Sequence, residues 1–322
     1  MKNKYTGALI GKRKTDYILG SSPVEKTILN ESGNWKTYTP EHEKQAFKYF
    51  DTLSCVTFSA TDTIEYLFNK AIRDGKILKS DIAWLKENGY FKNCLINFNE
   101  RFTAILGGTT SKGAYQYKVG DAIRKYGLIP QDMFSSDVKN QEEYLDKTAI
   151  TNEMYSLGEE FIKRFPINYE WVLNIKEGLK YSPLQVCVYY ADGEGILCPT
   201  NRPQHAVVLI NYTDDYGLID DSYTHQFKKY CHEAIYSAML YTVKFMNKEK
   251  ARILKDKNSN SVGVFLPALT EDVLKSYALN MGIEIPKTAD GLIDWERTIN
   301  GEFEIAWELT QASYSDDRLK KV

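Results

Sequence analysis

The sequence predicts an α+β fold in which a helical half is followed by a half built on an antiparallel sheet. Three observations support this prediction. Apolar residues recur at helical spacing after Cys55 and again over 116–126. Apolar and polar residues alternate over 184–189, and an unbroken apolar run follows over 206–210. Helices that come first and strands that come second in one chain indicate an α+β domain.

The length and composition permit one large domain or two. The chain has 322 residues, 43% of them hydrophobic, and a net charge of −2. It can therefore bury a sizeable core, and it has no general attraction for nucleic acid or for an anionic membrane surface. No apolar run approaches the roughly 18 residues of a spanning helix, and none follows the basic N-terminus as in a secretory signal. We expect a protein without a membrane span that is made in a cytoplasm.

The first half of the chain is predicted to be mainly helical. Residues 1–34 form an extended lead-in, because Gly, Ser and Pro interrupt it repeatedly. A helix is expected to begin at Cys55 and to end at Asp74-Gly75. A second helix covers about 116–126, and helical segments fill roughly 151–178.

The second half is predicted to form the sheet. Strands are expected over 184–189 and 206–210, and a shorter one over 216–220. Residues 234–246 are apolar and fit either a helix or a strand. A polar stretch then precedes residues 249–322, which we expect to be a C-terminal appendage of unknown role. That segment is also a possible contact for a virion or protein partner.

Cysteine and histidine usage excludes several kinds of site. An odd number of cysteines, widely spread and without a CxxC pair, argues against a disulfide framework and against a zinc centre. Only four histidines are present, so a metal centre built from several histidines is not expected. We expect free thiols in a reducing compartment, and we predict no cofactor and no metal. The cysteines are Cys55, Cys94, Cys187, Cys198 and Cys231.

Cys55 is a candidate nucleophile. It stands at the expected start of a helix, where unpaired N–H groups and the positive end of the helix dipole favour a thiolate. Such chemistry also needs a base within reach and a group that orients the base. By position alone, a cysteine here is more often a small buried hydrophobe. The interpretation therefore depends on partners elsewhere in the chain.

His205 and Asp221 are the candidate base and orienting group. His205 begins the apolar run over 206–210, and a strand holds an imidazole rigidly. Asp221 follows the next expected strand, and an antiparallel neighbour would bring its carboxylate to the far nitrogen of His205. Each residue alone has an ordinary explanation as a strand-end side chain facing water. Asp220 stands beside Asp221 and is the alternative orienting acid.

The order and spacing of these residues resemble those of papain-like cysteine peptidases. His205 follows Cys55 by about 150 residues, and the papain-type separation is about 130–150 residues, with the orienting Asn or Asp after it. His205-Ala206-Val207 is similar to the family's His strand. Asp221-Ser222-Tyr223 is similar to its Asn-Ser-Trp, with Asp in place of Asn and Tyr in place of Trp.

Other segments extend the resemblance to roughly residues 35–245. Gly107-Gly108-Thr109 resembles the family's Gly-rich segment, and Tyr126-Gly127-Leu128 begins a run similar to its Tyr-Gly-aliphatic motif. Gly33-Asn34-Trp35, followed by Pro40 and Gln45, resembles the lead-in of divergent phage-encoded members. The resemblance implies a helical half that carries the Cys and a sheet half that carries the His.

The residues around Cys55 depart from the family pattern. The family's Cys-Gly-Ser-Cys-Trp is replaced by Thr52 to Val56, so only Ser-Cys remains. Tyr49 stands where the family has its glutamine, six residues before the Cys. Gln45 is the nearest glutamine, and its amide reaches the oxyanion only if the intervening loop bulges outward. Loss of one oxyanion donor typically costs about 10²–10³ in turnover.

The resemblance implies a cysteine peptidase domain over 35–248 that acts on a protein or peptide through an acyl-enzyme. Cys55 would attack, His205 would carry the proton, Asp221 would orient His205, and Gln45 would bind the oxyanion. One alternative is a catalytically idle papain fold that serves as a structural or virion component. A second alternative is a thiol hydrolase of peptidoglycan peptides or a thiol transferase, although their Cys and His usually lie closer in sequence. The expected location is a bacterial host cytoplasm or a virion.

Overall fold

A computed structural model of the protein describes residues 7–9, 11–21, 26–47, 49–200 and 204–245, except for the side chains of 224–226. The expected appendage over 249–322 lies outside these residues. The α+β class is confirmed, since the helices lie mainly in the first half of the chain and the main sheet in the second. Within the described residues, no helix has the length and apolar character needed to cross a membrane.

Seven α-helices occur in the described part of the chain. They are α1 (Cys55–Arg73), α2 (Lys79–Glu87), α3 (Glu100–Leu106), α4 (Gln116–Tyr126), α5 (Gln141–Tyr144), α6 (Asn152–Arg164) and α7 (Ile175–Tyr181). The helix predicted to begin at Cys55 and the helix predicted over 116–126 are both confirmed. Gly127 ends α4 with a φ of +70°, a backbone conformation that glycine adopts without a steric cost.

The strands form two small pairs and one large sheet. The short strands are β1 (Ala8–Leu9), β2 (Phe91–Lys92), β3 (Leu95–Ile96) and β4 (Ala114–Tyr115). The large sheet contains β5 (Ile167–Trp171), β6 (Leu184–Tyr189), β7 (Ile196–Leu197), β8 (Gln204–Tyr212), β9 (Gly217–Asp221), β10 (Thr224–Tyr230) and β11 (Ile235–Val243). Its order is β5-β11-β6-β8-β9-β10-β7, and every neighbouring pair is antiparallel except β10 and β7.

One part of the secondary-structure prediction is wrong. Helical segments were expected to fill roughly 151–178, but β5 occupies Ile167–Trp171 between α6 and α7. The whole length of β5 pairs with the end of β11, from Ile167 opposite Val243 to Trp171 opposite Met239. The ambiguous stretch 234–246 contains strand β11 (Ile235–Val243), because these residues pair with β5 and β6. Pairing between segments far apart in sequence therefore overrides the local preference.

Helix α1 is the central element of the helical half. It packs against β8 on one side and against α4 on another, so nearly all of its side chains are buried. Three of its buried hydroxyls bond to carbonyls one turn earlier, namely Ser59 Oγ to Cys55 O at 2.7 Å, Thr61 Oγ1 to Thr57 O at 3.1 Å and Thr63 Oγ1 to Ser59 O at 2.7 Å. These bonds remove the cost of burying unpaired hydroxyl groups.

An aromatic cluster forms the part of the core beneath α1. Phe68 of α1 lies at its centre, with ring centroids 5.1 Å from Phe165 and from Phe245 and 5.5 Å from Phe98. Aromatic pairs at such separations contribute about 0.5–1.5 kcal/mol each beyond their buried area. Phe245, which follows β11, is therefore part of the same core as the helices.

The described part of the lead-in and the adjoining Trp35 pack on the rest of the domain. Trp35 is fully buried, and its indole N–H donates to Leu179 O at 2.7 Å. Its backbone N–H donates to Ile210 O at 2.8 Å. Further upstream, Leu19 N–H donates to Trp171 O at 2.8 Å. The lead-in therefore covers one edge of the sheet and the end of α7.

The prediction of free thiols is wrong for two of the five cysteines. Cys198 and Cys231 form a disulfide, with their Cα atoms 5.2 Å apart. The parallel pairing of β7 with the end of β10 places Tyr230 opposite Leu197. Cys231 and Cys198 directly follow these two residues, so they lie opposite each other. Cys187 instead is buried, and its Sγ lies 3.3 Å from Gln116 Oε1. The sequence spacing of the cysteines did not reveal this pairing.

Candidate active site

Cys55 is the first residue of α1 and is fully buried. The preceding Ser54 provides no side-chain cap. Its backbone carbonyl accepts from Thr57 N–H at 2.7 Å and from Phe58 N–H at 3.0 Å. Leu53 has a φ of +53°, which is a strained conformation for a non-glycine residue, and Asp51 Oδ1 holds its N–H at 2.8 Å. This turn presents the thiol at the positive end of the helix dipole, as the sequence predicts.

His205 lies near the start of β8 and is 1% exposed. Strands β8 and β9 are antiparallel, so the start of β8 lies beside the end of β9, where Asp221 stands. The His205 Nε2 atom is 2.8 Å from Asp221 Oδ1. The structure thus brings the predicted base and the predicted orienting acid into direct contact.

The other ring nitrogen of His205 is left for Cys55. Nδ1 is buried and has no hydrogen-bond partner of normal geometry among the described residues. Burial would lower the pKa of His205, but the Asp221 carboxylate and the Cys55 side chain outweigh this effect and raise the pKa to about 9. His205 is therefore an imidazolium at neutral pH, with a carboxylate on one side and the thiol on the other.

Asp221 is fully buried and accepts hydrogen bonds on both oxygens. Oδ1 accepts from His205 and from Tyr223 N–H at 3.0 Å, while Oδ2 accepts from Lys228 Nζ at 2.8 Å. Burial would raise the pKa of Asp221, yet His205 and Lys228 together lower it far below its usual range. The carboxylate therefore stays ionised.

Asp220 faces a different part of the molecule. Its Oδ2 accepts a hydrogen bond at 2.8 Å from the hydroxyl of Tyr66 on α1. Burial raises the pKa of Asp220, whereas the neighbouring Asp221 is held ionised. Of the two adjacent acids, only Asp221 contacts His205 in the described residues.

Two tyrosines enclose the His205 ring. Tyr223 lies 4.8 Å away between ring centroids at a tilt of 35°, and Tyr190 meets the ring edge-on at 5.3 Å. Tyr223 is fixed by a 2.6 Å hydrogen bond from its hydroxyl to Asp51 Oδ2. These rings exclude water from the bond between His205 and Asp221, which strengthens that bond.

Gln45 lies close to the turn that precedes Cys55. Thr52 N–H donates to Gln45 O at 3.2 Å, and an antiparallel bridge joins Ala46 to Asp51. The intervening loop therefore bulges outward, which is the condition under which Gln45 was expected to approach Cys55. The side-chain amide accepts from Ser222 Oγ at 2.7 Å and donates to Asp51 Oδ1 at 3.3 Å. The amide is oriented by these bonds, and no contact between it and the thiol is observed in the described residues.

The N-terminal strand β1 covers the thiol. It pairs in parallel with β4, with Ala8 opposite Ala114, and Gly7 precedes it. A Cβ placed on Gly7 would lie 2.7 Å from Cys55 Sγ, and one placed on Gly113 would lie 1.9 Å from Gly7 O. Only glycine permits these close approaches at the two positions. The segment over 7–9 thus lies directly on the candidate nucleophile.

A buried polar bridge fixes the two halves of the site to each other. Gln185 of β6 donates through Nε2 to Val56 O at 2.6 Å and to Ser59 Oγ at 3.0 Å, both on the first turns of α1. Its Oε1 accepts from the Tyr241 hydroxyl of β11 at 3.1 Å. This glutamine therefore sets the position of the Cys55 turn against the sheet that carries His205.

The structure brings Cys55, His205 and Asp221 together and places Gln45 beside the same turn. Sequence reasoning missed four further residues that contact them, which are Gly7, Asp51, Tyr190 and Lys228. No local pattern marks these residues, because each reaches the site through a turn or a pairing distant in sequence. Within the described ranges, no group of three or more His, Cys, Asp or Glu side chains is placed to hold a metal ion.

Comparison with known proteins gives a likeness of fold only. No family model and no curated protein matches the sequence. Among solved structures, xylellain, a cysteine protease from Xylella fastidiosa, is 12% identical with a TM-score of 0.48, over 76% of this chain and 97% of that chain. The ragweed pollen allergen Amb a 11, a cysteine protease in its proform, is 15% identical with a TM-score of 0.44, over 71% of this chain and 69% of that chain. A stem bromelain precursor is 15% identical with a TM-score of 0.42, over 74% and 77%.

Proposed function

We propose that the protein is a cysteine peptidase that hydrolyses peptide bonds through Cys55, His205 and Asp221. The observation that carries this proposal is the arrangement around His205. One ring nitrogen bonds to a buried carboxylate at 2.8 Å, and the other is left for a thiol at the start of a helix. This arrangement provides a nucleophile, a base and a group that orients the base.

The charge state of the site supports the same chemistry. With the pKa of His205 at about 9, the ring carries a proton at neutral pH, which it receives from Cys55. The thiolate attacks the scissile carbonyl, and His205 gives its proton to the leaving amine as the acyl-enzyme forms. Neutral His205 then removes a proton from water, which hydrolyses the thioester and restores the pair. Asp221 stabilises the imidazolium and fixes its tautomer throughout.

The oxyanion formed in these steps needs hydrogen-bond donors. The N–H of Cys55 is one proposed donor, because Cys55 is the first residue of α1 and its N–H has no acceptor within the helix. The Gln45 amide is the second, because the outward loop brings its backbone to Thr52 and Asp51 orients its Nε2. Each such donor contributes about 10²–10³ in turnover. To bind the oxyanion, Gln45 would have to turn an Nε2 N–H toward the substrate.

The proposal is tested with a Cys55→Ala variant and a peptide-mimicking thiol trap. We expect the variant to fold and to lose more than about 10³-fold of the hydrolytic activity, because the nucleophile is removed while little volume is lost. Mass spectrometry should find the trap on Cys55 of the wild-type protein. Cys94 is an exposed free thiol and serves as the matched control through Cys94→Ala, which should keep full activity. Equal hydrolysis by Cys55→Ala and the wild type would remove the proposal.

A further inference from the structure

Lys228 is a buried cation beside the proposed site that the sequence did not reveal. Its side chain is 7% exposed, and its Nζ lies 2.8 Å from Asp221 Oδ2 and 2.9 Å from Asp192 Oδ1. The Tyr190 hydroxyl accepts a third hydrogen bond at 3.2 Å. Burial of an ammonium is costly unless it is paired and hydrogen-bonded, and here all of its donors can be used.

A bulge in β10 brings Lys228 to this position. Thr224 pairs with Asp221, but the next pair joins Lys228 to Ile219, so β10 advances four residues while β9 advances two. Ile219 and Asp221 share one face of β9, because side chains alternate along a strand. A residue opposite Ile219 points to that same face, within diagonal reach of Asp221. The two extra residues of the bulge are therefore what places the lysine on the carboxylate.

The position of Lys228 has a consequence for each step of the proposed reaction. While His205 is protonated, a buried carboxylate without a second cation would hold the imidazolium proton too strongly for efficient transfer to the leaving amine. After that transfer His205 is neutral, and without the lysine Asp221 would be a buried charge paired only with the neutral ring and the Tyr223 N–H. A cation on Oδ2 weakens the hold of Asp221 on the imidazolium proton. It also offsets the cost of the buried carboxylate once His205 is neutral.

We infer that Lys228 is a positioning residue of the proposed site, which balances the buried charge of Asp221 and fixes its carboxylate so that Oδ1 stays on His205. This inference rests on the proposed function and concerns the same side chains. It places the His205 imidazolium, the Asp221 carboxylate and the Lys228 ammonium in contact in that order, with Asp192 as the second carboxylate on the lysine. Other titratable residues that interact with Asp221 or Lys228 are Asp192, Asp220, Tyr190, Tyr223 and Tyr230.

The test is an NMR titration of histidine ring carbons in the full-length protein. The chain has only four histidines, so His205 can be assigned with a His205→Gln variant. In Lys228→Met we expect the pKa of His205 to rise by about one unit, because a nearby positive charge is lost. In Asp221→Asn it should fall, and in the double variant it should stay below the wild type, because the lost carboxylate touches the ring while the lost ammonium lies on the other oxygen of Asp221. Lys228→Arg should stay close to the wild type, since the cation is kept.

Lys229→Met is the matched control, because Lys229 is the exposed neighbour on the same strand. It should leave the titration of His205 unchanged. A His205 pKa in Lys228→Met within about 0.3 units of the wild type would overturn the inference. If Lys228→Met does not fold, the double variant decides. Lys228→Met with Asp221→Asn must then recover a folded protein, because no unpaired buried carboxylate is left, and a double variant that also fails to fold overturns the inference. The titration needs no hydrolysis, so a wild-type protein without activity would refute the proposed function and leave the charge coupling measured.

Discussion

At the scale of single residues, the pair of adjacent acids shows how the fold separates two chemically identical side chains. Asp221 lies on the face of β9 that meets His205 and Lys228, and it is held ionised. Asp220 lies on the opposite face and accepts from Tyr66 on α1. Because strand side chains alternate, a shift of one residue in register would exchange the two roles.

We predict different effects for substitution of the two acids. Asp221→Ala should lower kcat/KM by roughly 10²–10⁴, because His205 loses the group that fixes its tautomer. It should also leave Lys228 without its main partner, at a cost of about 1–3 kcal/mol in the free energy of unfolding. Asp220→Asn is the control, because the amide oxygen can still accept from Tyr66, and its kcat/KM should be little changed. Activity assays and urea unfolding on both variants measure these effects. Loss of activity in Asp220→Asn with normal activity in Asp221→Ala would exchange the two assignments.

The three residues at the centre of the candidate site were proposed from the sequence because their order and spacing follow a known pattern. Cys55 precedes His205 by about 150 residues, and Asp221 ends the strand after it. Lys228 could not be predicted, because its position depends on a bulge that has no local signature in the sequence. Gly7 could not be predicted either, since it lies far upstream in the lead-in and is held beside Cys55 by the pairing of β1 with β4.

At the scale of elements, strand β1 decides whether the proposed nucleophile is accessible. Cys55 is fully buried, and the backbone at Gly7 lies against its thiol. The strand is only Ala8–Leu9, and its sheet pairing is with β4. Two residues of strand pairing provide little free energy, so β1 can be displaced more easily than the strands of the large sheet.

We predict that removal of residues 1–9 increases the reactivity of Cys55. The rate of alkylation by iodoacetamide should rise by about tenfold or more, because the thiol no longer depends on a rare open state. Cys94 is exposed in the intact protein and provides an internal control whose alkylation rate should not change. Peptide hydrolysis should increase in parallel. An unchanged rate at Cys55 in a folded truncated protein would show that β1 does not limit access.

Element boundaries were predictable where local signals dominate. The start of α1 at Cys55 follows from apolar spacing, and the end of α4 follows from the glycine at position 127. Strand β5 was missed, because its five residues are specified by β11, about 70 residues later in the chain. The disulfide between Cys198 and Cys231 was missed for a similar reason, as the parallel pairing of β7 and β10 creates it.

At the scale of the whole molecule, the site lies where the helical half meets the sheet half. Gln185 connects them, since its amide reaches Val56 on α1 and its oxygen accepts from Tyr241 on β11. Gln116 of α4 adds a second link, with Nε2 donating to Gln185 O at 3.2 Å and Oε1 accepting from Ser237 at 2.9 Å. The distance between the thiol and the imidazole is therefore set by buried amides between the halves rather than by the chain near either residue.

The end of the described chain permits a matched pair of truncations. The segment 249–322 was predicted to be separable from the catalytic machinery, and a protein that ends at Lys248 should be soluble with a reactive Cys55. A protein that ends at Val243 removes Phe245, whose ring lies 5.1 Å from Phe68 in the aromatic core. It should lose about 1–3 kcal/mol in the free energy of unfolding. Urea unfolding and labelling of Cys55 by a thiol trap compare the two. An insoluble or unreactive protein ending at Lys248 would show instead that the later segment completes the core or the site.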